Sequence, residues 1–243
     1  MKLIIIFILI FQNLVFLQAN RRRRLLRVGV RPDPPLKPST KSSKIYLSYT
    51  SFLRGFVSSQ GIFNQNAPIP SADKYAAFMD TIVSEGSIRD KNELSAFMAH
   101  ALVASRGLTI DRENNLNIID ELTRSYYRRG YLGVVGVEKY RQASLDIYED
   151  LRLLQVPELV TQDSEINWRV SLWNWERFVL GKFSDFASVT DELLGPKTCE
   201  TVYRVYSILK REWDPKSKHF HGCIKLEDLQ KSTQILKDNT NEQ

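Results

Sequence analysis

A mainly helical domain with little sheet is what this sequence predicts, and three observations carry the prediction. The chain has 243 residues, enough for one domain with a sizeable core. Apolar residues recur at helical spacing in segment after segment. Alternation of period two is confined to a hint at Tyr131 to Val135.

The N-terminal region is organised differently from the rest. Met1 to Ala19 holds one Lys, apolar runs at Leu3 to Phe11 and Leu14 to Leu17, and a small residue before Asn20. That is the layout of a secretory signal peptide, so 1–19 is read as a leader and the protein as secreted. The alternative is a membrane anchor through residues 3–19, which the Arg21 to Arg24 block would favour by holding the following chain in the cytosol. Gln12, Asn13 and Gln18 interrupt the stretch and leave it short for a span. Residues 20–45 combine basic residues with Pro32, Pro34, Pro35 and Pro38 and read as a linker. A domain is expected over 46–235 and a polar tail over 236–243.

Within the domain, Tyr46 to Ser58 predicts a first helix with Leu47, Phe52, Leu53, Phe56 and Val57 as its apolar residues. A loop rich in Gly, Asn and Pro follows from Gly61 to Pro70. Ser71 caps a second helix carrying Tyr75, Phe78, Met79, Ile82 and Val83 at i, i+3, i+4, i+7, i+8. Asp90 or Asn92 starts a third, with Leu94, Phe97, Met98, Ala101 and Leu102 inward, ending before Gly107. Leu145 to Val156, Asn167 to Leu180, Val189 to Leu194 and Cys199 to Glu212 predict the remaining helices. The four tryptophans, Trp168, Trp173, Trp175 and Trp213, are expected in the core.

Charge excludes a groove for nucleic acid. The net charge is +6, but Lys2, Arg21 to Arg24, Arg27 and Arg31 supply seven positives with no acid among them, so the chain from Pro32 onward sums to 6 − 7 = −1. The body is nearly neutral, and polyanion contact is an expectation only for the Arg21 to Arg24 arm. Cys199 and Cys223 are the two cysteines, an even number in a chain read as secreted, and are expected to pair. No C-x-x-C pair or Cys/His cluster points to a metal, and no cofactor is expected. Of three histidines, His219 and His221 sit together near the C-terminus, while His100 lies on the third helix.

Several segments occur in an order that resembles family 19 chitinases: Glu93-Leu-Ser-Ala-Phe-Met-Ala-His-Ala-Leu-Val-Ala-Ser-Arg-Gly-Leu108, Tyr126-Tyr-Arg-Arg-Gly-Tyr-Leu-Gly-Val-Val-Gly-Val-Glu-Lys-Tyr140, Leu153-Leu-Gln-Val-Pro-Glu-Leu-Val160 and Ser171-Leu-Trp-Asn-Trp175, with Phe183 to Gly195 similar to a later turn. The similarity runs from about Phe52 to Trp213. It implies a two-lobed, lysozyme-like helical domain with a cleft, and inverting hydrolysis of β-1,4-linked N-acetylglucosamine polymers. Such a reaction needs a carboxylic acid and a second carboxylate roughly 6.5–9.5 Å away.

The same alignment removes most of the polar set that the family implies. Its His-Glu-Thr-x-Gly-Gly motif matches Val103 to Leu108, which puts Ala104 at the acid position. Glu113 stands at the spacing of the base, with a surface glutamate as the alternative. Tyr127 keeps a cleft position, whereas Gly133 replaces a sugar-contacting Gln, Val135 the hydroxyl that holds the water, Lys139 an Asn, and Leu194 an Asn of the later turn. The expected protein is therefore a secreted, monomeric chitinase-like protein directed at chitin or a related N-acetylglucosamine polymer, with catalysis impaired. An active endochitinase with a relocated acid, from Asp111, Asp120, Glu121 or His100, is the first alternative. An extracellular coat or interaction protein is the second.

Overall fold

The computed structural model describes residues 45–85, 87–112, 125–179, 186–216, 220 and 222–223, all within one compact unit, 36–243. The expected leader, the basic arm, Glu113 and the polar tail lie outside the described residues. Among the described residues there is no strand, and no helix is long and apolar enough to cross a membrane.

Helix α1 (Tyr49–Phe63) is capped by Ser48, whose Oγ accepts from Ser51 N at 3.2 Å. It runs one turn past its expected end and through Gly61, around which a Cβ would meet open space. Helix α2 (Ala72–Glu85) starts as expected, with Lys74 N donating to Ser71 Oγ. Phe78, Met79 and Ile82 are buried, but Val57 on α1 and Val83 on α2, both read as part of the apolar pattern, are about half exposed. The core-facing stripe is narrower than the run of apolar letters suggests.

Helix α3 (Lys91–Ala104) begins at Asp90, whose carboxylate accepts from Glu93 N at 2.8 Å. Every residue from Glu93 to Leu102 is buried. A helix covered on all sides is the axis of its domain and needs no polar face. Helices α1 and α3 both pack on the C-terminal helix described below, and Phe78 of α2 lies near Phe97.

The expected helix over Leu145 to Val156 is replaced by α4 (Val137–Tyr148) and the single turn α5 (Arg152–Gln155). Glu149 between them adopts a left-handed conformation, φ 56°, which ends α4. The hint of a strand at Tyr131 to Val135 is a turn instead, with Arg129 bridging both Arg112 and Val134. A second short turn, α6 (Leu159–Gln162), leads into α7 (Ser164–Val179).

Two buried clusters share α7. Trp168, Leu172 and Trp175 join the larger cluster around α3, while Val170 and Trp173 join a smaller one with Val134, Tyr140, Ala143, Leu153 and Val160. All four tryptophans are in the core, as their helical spacing predicts. Three find polar partners for the indole N–H: Trp173 donates to Asp146, Trp175 to Glu93 and Trp213 to the Ser51 carbonyl.

Helix α8 (Phe186–Leu194) is followed by a 3-10 turn at Pro196–Thr198 and by α9 (Cys199–Trp213). Cys199, the first residue of α9, is joined to Cys223, with Cα atoms 5.8 Å apart. That bridge holds Phe220 against Tyr206 and Phe186, and Phe220 N donates to the Tyr206 hydroxyl at 3.0 Å.

Candidate functional site

The residue expected at the family's acid position closes α3. Ala104 is its last residue, half-buried and packed against the larger cluster, so the position offers a methyl group and no proton. Ser105 caps the end from a buried position: its Oγ donates to Ala101 O and accepts from Leu108 N at 2.9 Å. The chain then turns through three left-handed residues, Arg106, Gly107 and Leu108, at φ 50°, 82° and 60°.

Gly107 is required twice over, since a Cβ there would lie 2.6 Å from Ala67 Cβ and from the Phe63 ring. Leu108 stands where the resemblance implies a second glycine, and it keeps the glycine-like backbone although a side chain disfavours it by about 1–2 kcal/mol. Its side chain is 4% exposed, and burial offsets that strain.

A polar group borders this loop that sequence reading missed. Lys74, from the first turn of α2, donates its Nζ to Leu108 O at 3.0 Å and lies 5.6 Å from the centre of the Tyr131 ring. Partial burial lowers its pKa, opposed by the nearby Asp111 carboxylate. Burial raises the Tyr131 hydroxyl, and Asp111 adds to that. The only sequence signal was Lys74 at N3 of α2, a position ordinarily read as solvated.

His100 lies one turn before Ala104 and is fully buried. Its Nδ1 is 2.8 Å from Ala96 O, which can only accept, so Nδ1 carries the proton and Nε2 faces the Thr190 hydroxyl at 2.9 Å. Burial lowers its pKa to about 4. It packs against the tilted rings of Trp175 and Phe186, each with its centre 5.1 Å away, and serves the core.

The segment carrying the other candidate positions is held by a buried arginine. Arg129, 1% exposed, donates to Ser125 O at 3.0 Å, to the Tyr140 hydroxyl at 3.1 Å and to Glu158 Oε1 at 2.8 Å. Its guanidinium stacks 3.6 Å over the ring of Tyr127. Tyr140 donates in turn to Tyr127 O, and burial raises its pKa to about 12. One arginine and two tyrosines thus join the 125–129 strip to α4 and to Glu158.

Helix α7 fixes Tyr131, Leu132 and Gly133 from beneath. Asn167 Oδ1 accepts from Tyr131 N, Ser171 Oγ accepts from Leu132 N, and Asn174 Nδ2 donates to the carbonyls of Leu132 and Gly133, at 2.9, 3.3, 3.1 and 3.0 Å. These polar residues fall at i, i+4 and i+7, one face of an otherwise apolar helix, and that spacing was legible in the sequence.

Of the remaining positions, Gly133 is buried with φ 62°, and a Cβ there would come within 2.5 Å of Arg128 Cγ. Val135 is exposed, Lys139 half-buried in the first turn of α4, and Leu194 half-buried against the larger cluster. Tyr131 is buried beside Trp168, with ring centres 4.6 Å apart. Glu113 lies outside the described residues, but the chain leading to it is placed: Gly130 N donates to Asp111 O at 2.7 Å, and Arg112 bridges Arg129. The structure therefore brings Asp111, Tyr127, Gly133, Val135 and Lys139 onto one connected stretch of backbone. Leu194 joins the larger cluster from α8. Among the described residues no group of three or more His, Cys, Asp or Glu is arranged to hold a metal ion.

No protein-family model matches the sequence, and no curated protein matches it significantly. Solved structures do match. A family 19, class IV chitinase from Zea mays superposes with a TM-score of 0.53 at 18% identity, covering 70% of this chain and 95% of that one. Chitinase C from Streptomyces griseus gives 0.51 at 20% identity, covering 66% and 94%. A bacterial family 19 chitinase gives 0.51 at 17% identity, covering 67% and 94%. Nearly the whole of each enzyme is thus matched by about two thirds of this chain, and the chain has the mainly helical, lysozyme-like fold of the family 19 chitinases.

Proposed function

We propose that this protein is a secreted chitinase-like protein that binds chitin or a related N-acetylglucosamine polymer without hydrolysing it at an enzymatic rate. The reading rests on Ala104. The position at the end of α3 that aligns with the family's acid holds a methyl group against the core. Loss of general-acid assistance alone lowers a rate about 10²–10⁴-fold. His100, the nearest titratable neighbour along α3, has both ring nitrogens engaged and is neutral above about pH 4. It supplies no replacement acid.

Val135 deepens the loss in the same reading, since an isopropyl group cannot hold a water where the family uses a hydroxyl. The leader at 1–19 is proposed to be cleaved, the domain to span 46–235 and the protein to act as a monomer. The test is to incubate the purified chain with chitin, measuring the bound fraction and the release of chitooligosaccharides. Retention on chitin without product is expected. Robust product release abolished by Glu113→Gln would sink the proposal in favour of a relocated acid.

A further inference from the structure

Phe220 and Cys223 close over the aromatic face that α8 and α9 share. Cys223 is bonded to Cys199, the first residue of α9 and 24 positions earlier, with Cα atoms 5.8 Å apart. The Phe220 ring centre lies 5.4 Å from that of Tyr206 and 6.2 Å from that of Phe186. Its N–H donates to the Tyr206 hydroxyl at 3.0 Å, and its carbonyl accepts from the Tyr203 hydroxyl at 3.3 Å. Gly222 lies against the Tyr203 ring, which a Cβ there would meet at 3.6 Å. On the side of α3, Phe186 packs on His100 with ring centres 5.1 Å apart, and the Thr190 hydroxyl is 2.9 Å from His100 Nε2. The same helix ends at Leu194, a cleft position by the family resemblance. Helix α8 is thus held on α3 through a buried histidine and covered by Phe220, which the disulfide keeps in place.

The two sulfurs are not equivalent. Cys199 is 5% exposed and begins a helix of 15 residues, whereas Cys223 is half-buried. An attacking thiolate reaches Cys223 Sγ more readily, and Cys199 then leaves as a thiolate at the positive end of α9, where the helix dipole favours negative charge. Glu200 in the same turn is exposed, so solvent screens its opposing charge. A dithiol reductant supplies both electrons. Its first thiolate bonds to Cys223 Sγ as the bond to Cys199 breaks, and Cys199 takes up a proton. The second thiol of the reductant then attacks its own mixed-disulfide sulfur, closing the oxidised reductant and releasing Cys223 as a thiol. The products are two protein thiols and one oxidised reductant.

We propose that the Cys199–Cys223 bond is a redox latch on α8. Oxidised, it keeps Phe220 seated on Phe186 and Tyr206; reduced by a dithiol, it leaves Phe220 to noncovalent contacts that water can replace, and α8 loosens from its outer side. Because α8 carries Leu194, the loosened state holds the sugar polymer less tightly, a consequence that rests on the functional reading above. Binding and reduction are then reciprocal: the factor by which reduction weakens the polymer is the factor by which the polymer resists reduction.

The experiment is amide hydrogen exchange on the full chain with and without dithiothreitol, with chitohexaose affinity measured on the same samples. Reduction is expected to raise exchange at the Phe220 amide about a hundredfold and in α8 about tenfold, while α3 stays within about twofold. Chitohexaose affinity is expected to fall about tenfold on reduction and to return on reoxidation, and saturating chitohexaose should make the bond about tenfold harder to reduce at equilibrium. Cys199→Ser combined with Cys223→Ser should match the reduced chain and ignore dithiothreitol. Phe220→Ala, with the bond intact, should also speed exchange in α8, because the ring is what covers it. Unchanged exchange in α8 after reduction overturns the proposal. So does loss of helix throughout the chain, on reduction or in the double variant, since the bond would then serve the whole fold. Equal chitohexaose affinity in the two states overturns the coupling to the polymer. If the oxidised chain does not bind chitohexaose, the functional reading and the coupling fall together, and the exchange data alone decide the latch.

Discussion

The end of α3 and the strip from Ser125 to Tyr140 belong to the same part of the resemblance but hold their residues in opposite ways. In the strip, Arg129 has three hydrogen-bond acceptors and a tyrosine ring as partners, and Tyr140 both donates and accepts. At the end of α3, Ala104 makes no polar contact, and the loop after it is fixed by Ser105 and by the backbone conformations of Arg106, Gly107 and Leu108. The fold depends on the first set and places no demand on the chemistry of the second.

Substitutions at four positions would break or sharpen that comparison. Arg129→Ala should have the largest effect. It leaves Tyr140 and the Ser125 carbonyl without their buried donor and opens a cavity, for a loss of about 3–5 kcal/mol in denaturant unfolding. Arg129→Lys should recover little of it, since an ammonium cannot reach Ser125, Tyr140 and Glu158 as a planar fork does. A loss below about 1 kcal/mol would show that the strip is not what the fold depends on.

Glu176→Gln, on the scaffold helix α7, is expected to stabilise the protein in a pH-dependent way. Burial, then the charges of Glu85 and Glu93, raise the Glu176 pKa to about 7 from an ordinary 4.5. Below pH 4.5 both folded and unfolded chains bind the proton, and the residue contributes no penalty. Between 4.5 and 7 the unfolded chain ionises first, so stability falls as pH rises, and above 7 the penalty is constant. Glutamine should therefore have little effect near pH 4 and a gain approaching about 3 kcal/mol at pH 8. Thermal melts at the two pH values check the sign, and a larger gain at pH 4 would contradict it.

Leu108→Gly should have a smaller and mixed effect. Relief of the left-handed backbone returns about 1 kcal/mol, and loss of a buried leucine costs about 1.5–3 kcal/mol, so a net destabilisation of about 1 kcal/mol is expected. Net stabilisation would mean that the loop is shaped against the preference of its own side chain for some purpose other than packing.

The smallest effect belongs to Ala104→Glu. Stability should change by less than about 1 kcal/mol at this half-buried helix end, and chitinase activity should not appear, because an acid alone leaves the water and the sugar unpositioned. Restoring the family's Gln at 133 meets a further obstacle in this structure: φ is 62° and Arg128 occupies the space. Recovery of activity therefore requires Arg128 to be moved as well. Turnover from Ala104→Glu alone, read as released chitooligosaccharide, would show that the rest of the site is intact.

What the sequence determined by itself were the features set by local chemistry. The start of α2 at Ser71 depends on one side chain and the N–H group three residues on, and the same chemistry limited the start of α3 to Asp90 or Asn92, of which the structure chooses Asp90. The burial of all four tryptophans follows from helical spacing and from their size.

Tertiary structure decided what depends on partners distant in the chain. Helix α1 runs on to Phe63, where Asn64 N still donates to Gln60 O, and α4 ends at the left-handed Glu149, neither of which the apolar pattern marks. Gly133 read as a lost contact, and only the folded chain puts the Arg128 side chain across it. Lys74, not singled out by the sequence, reaches the Leu108 carbonyl 34 residues away. Asn167 and Asn174, given no weight in reading the sequence, hold the Tyr131 to Gly133 turn. The spacing of such residues can mark one partner of a long-range hydrogen bond, but the second partner is chosen by the packing of whole elements.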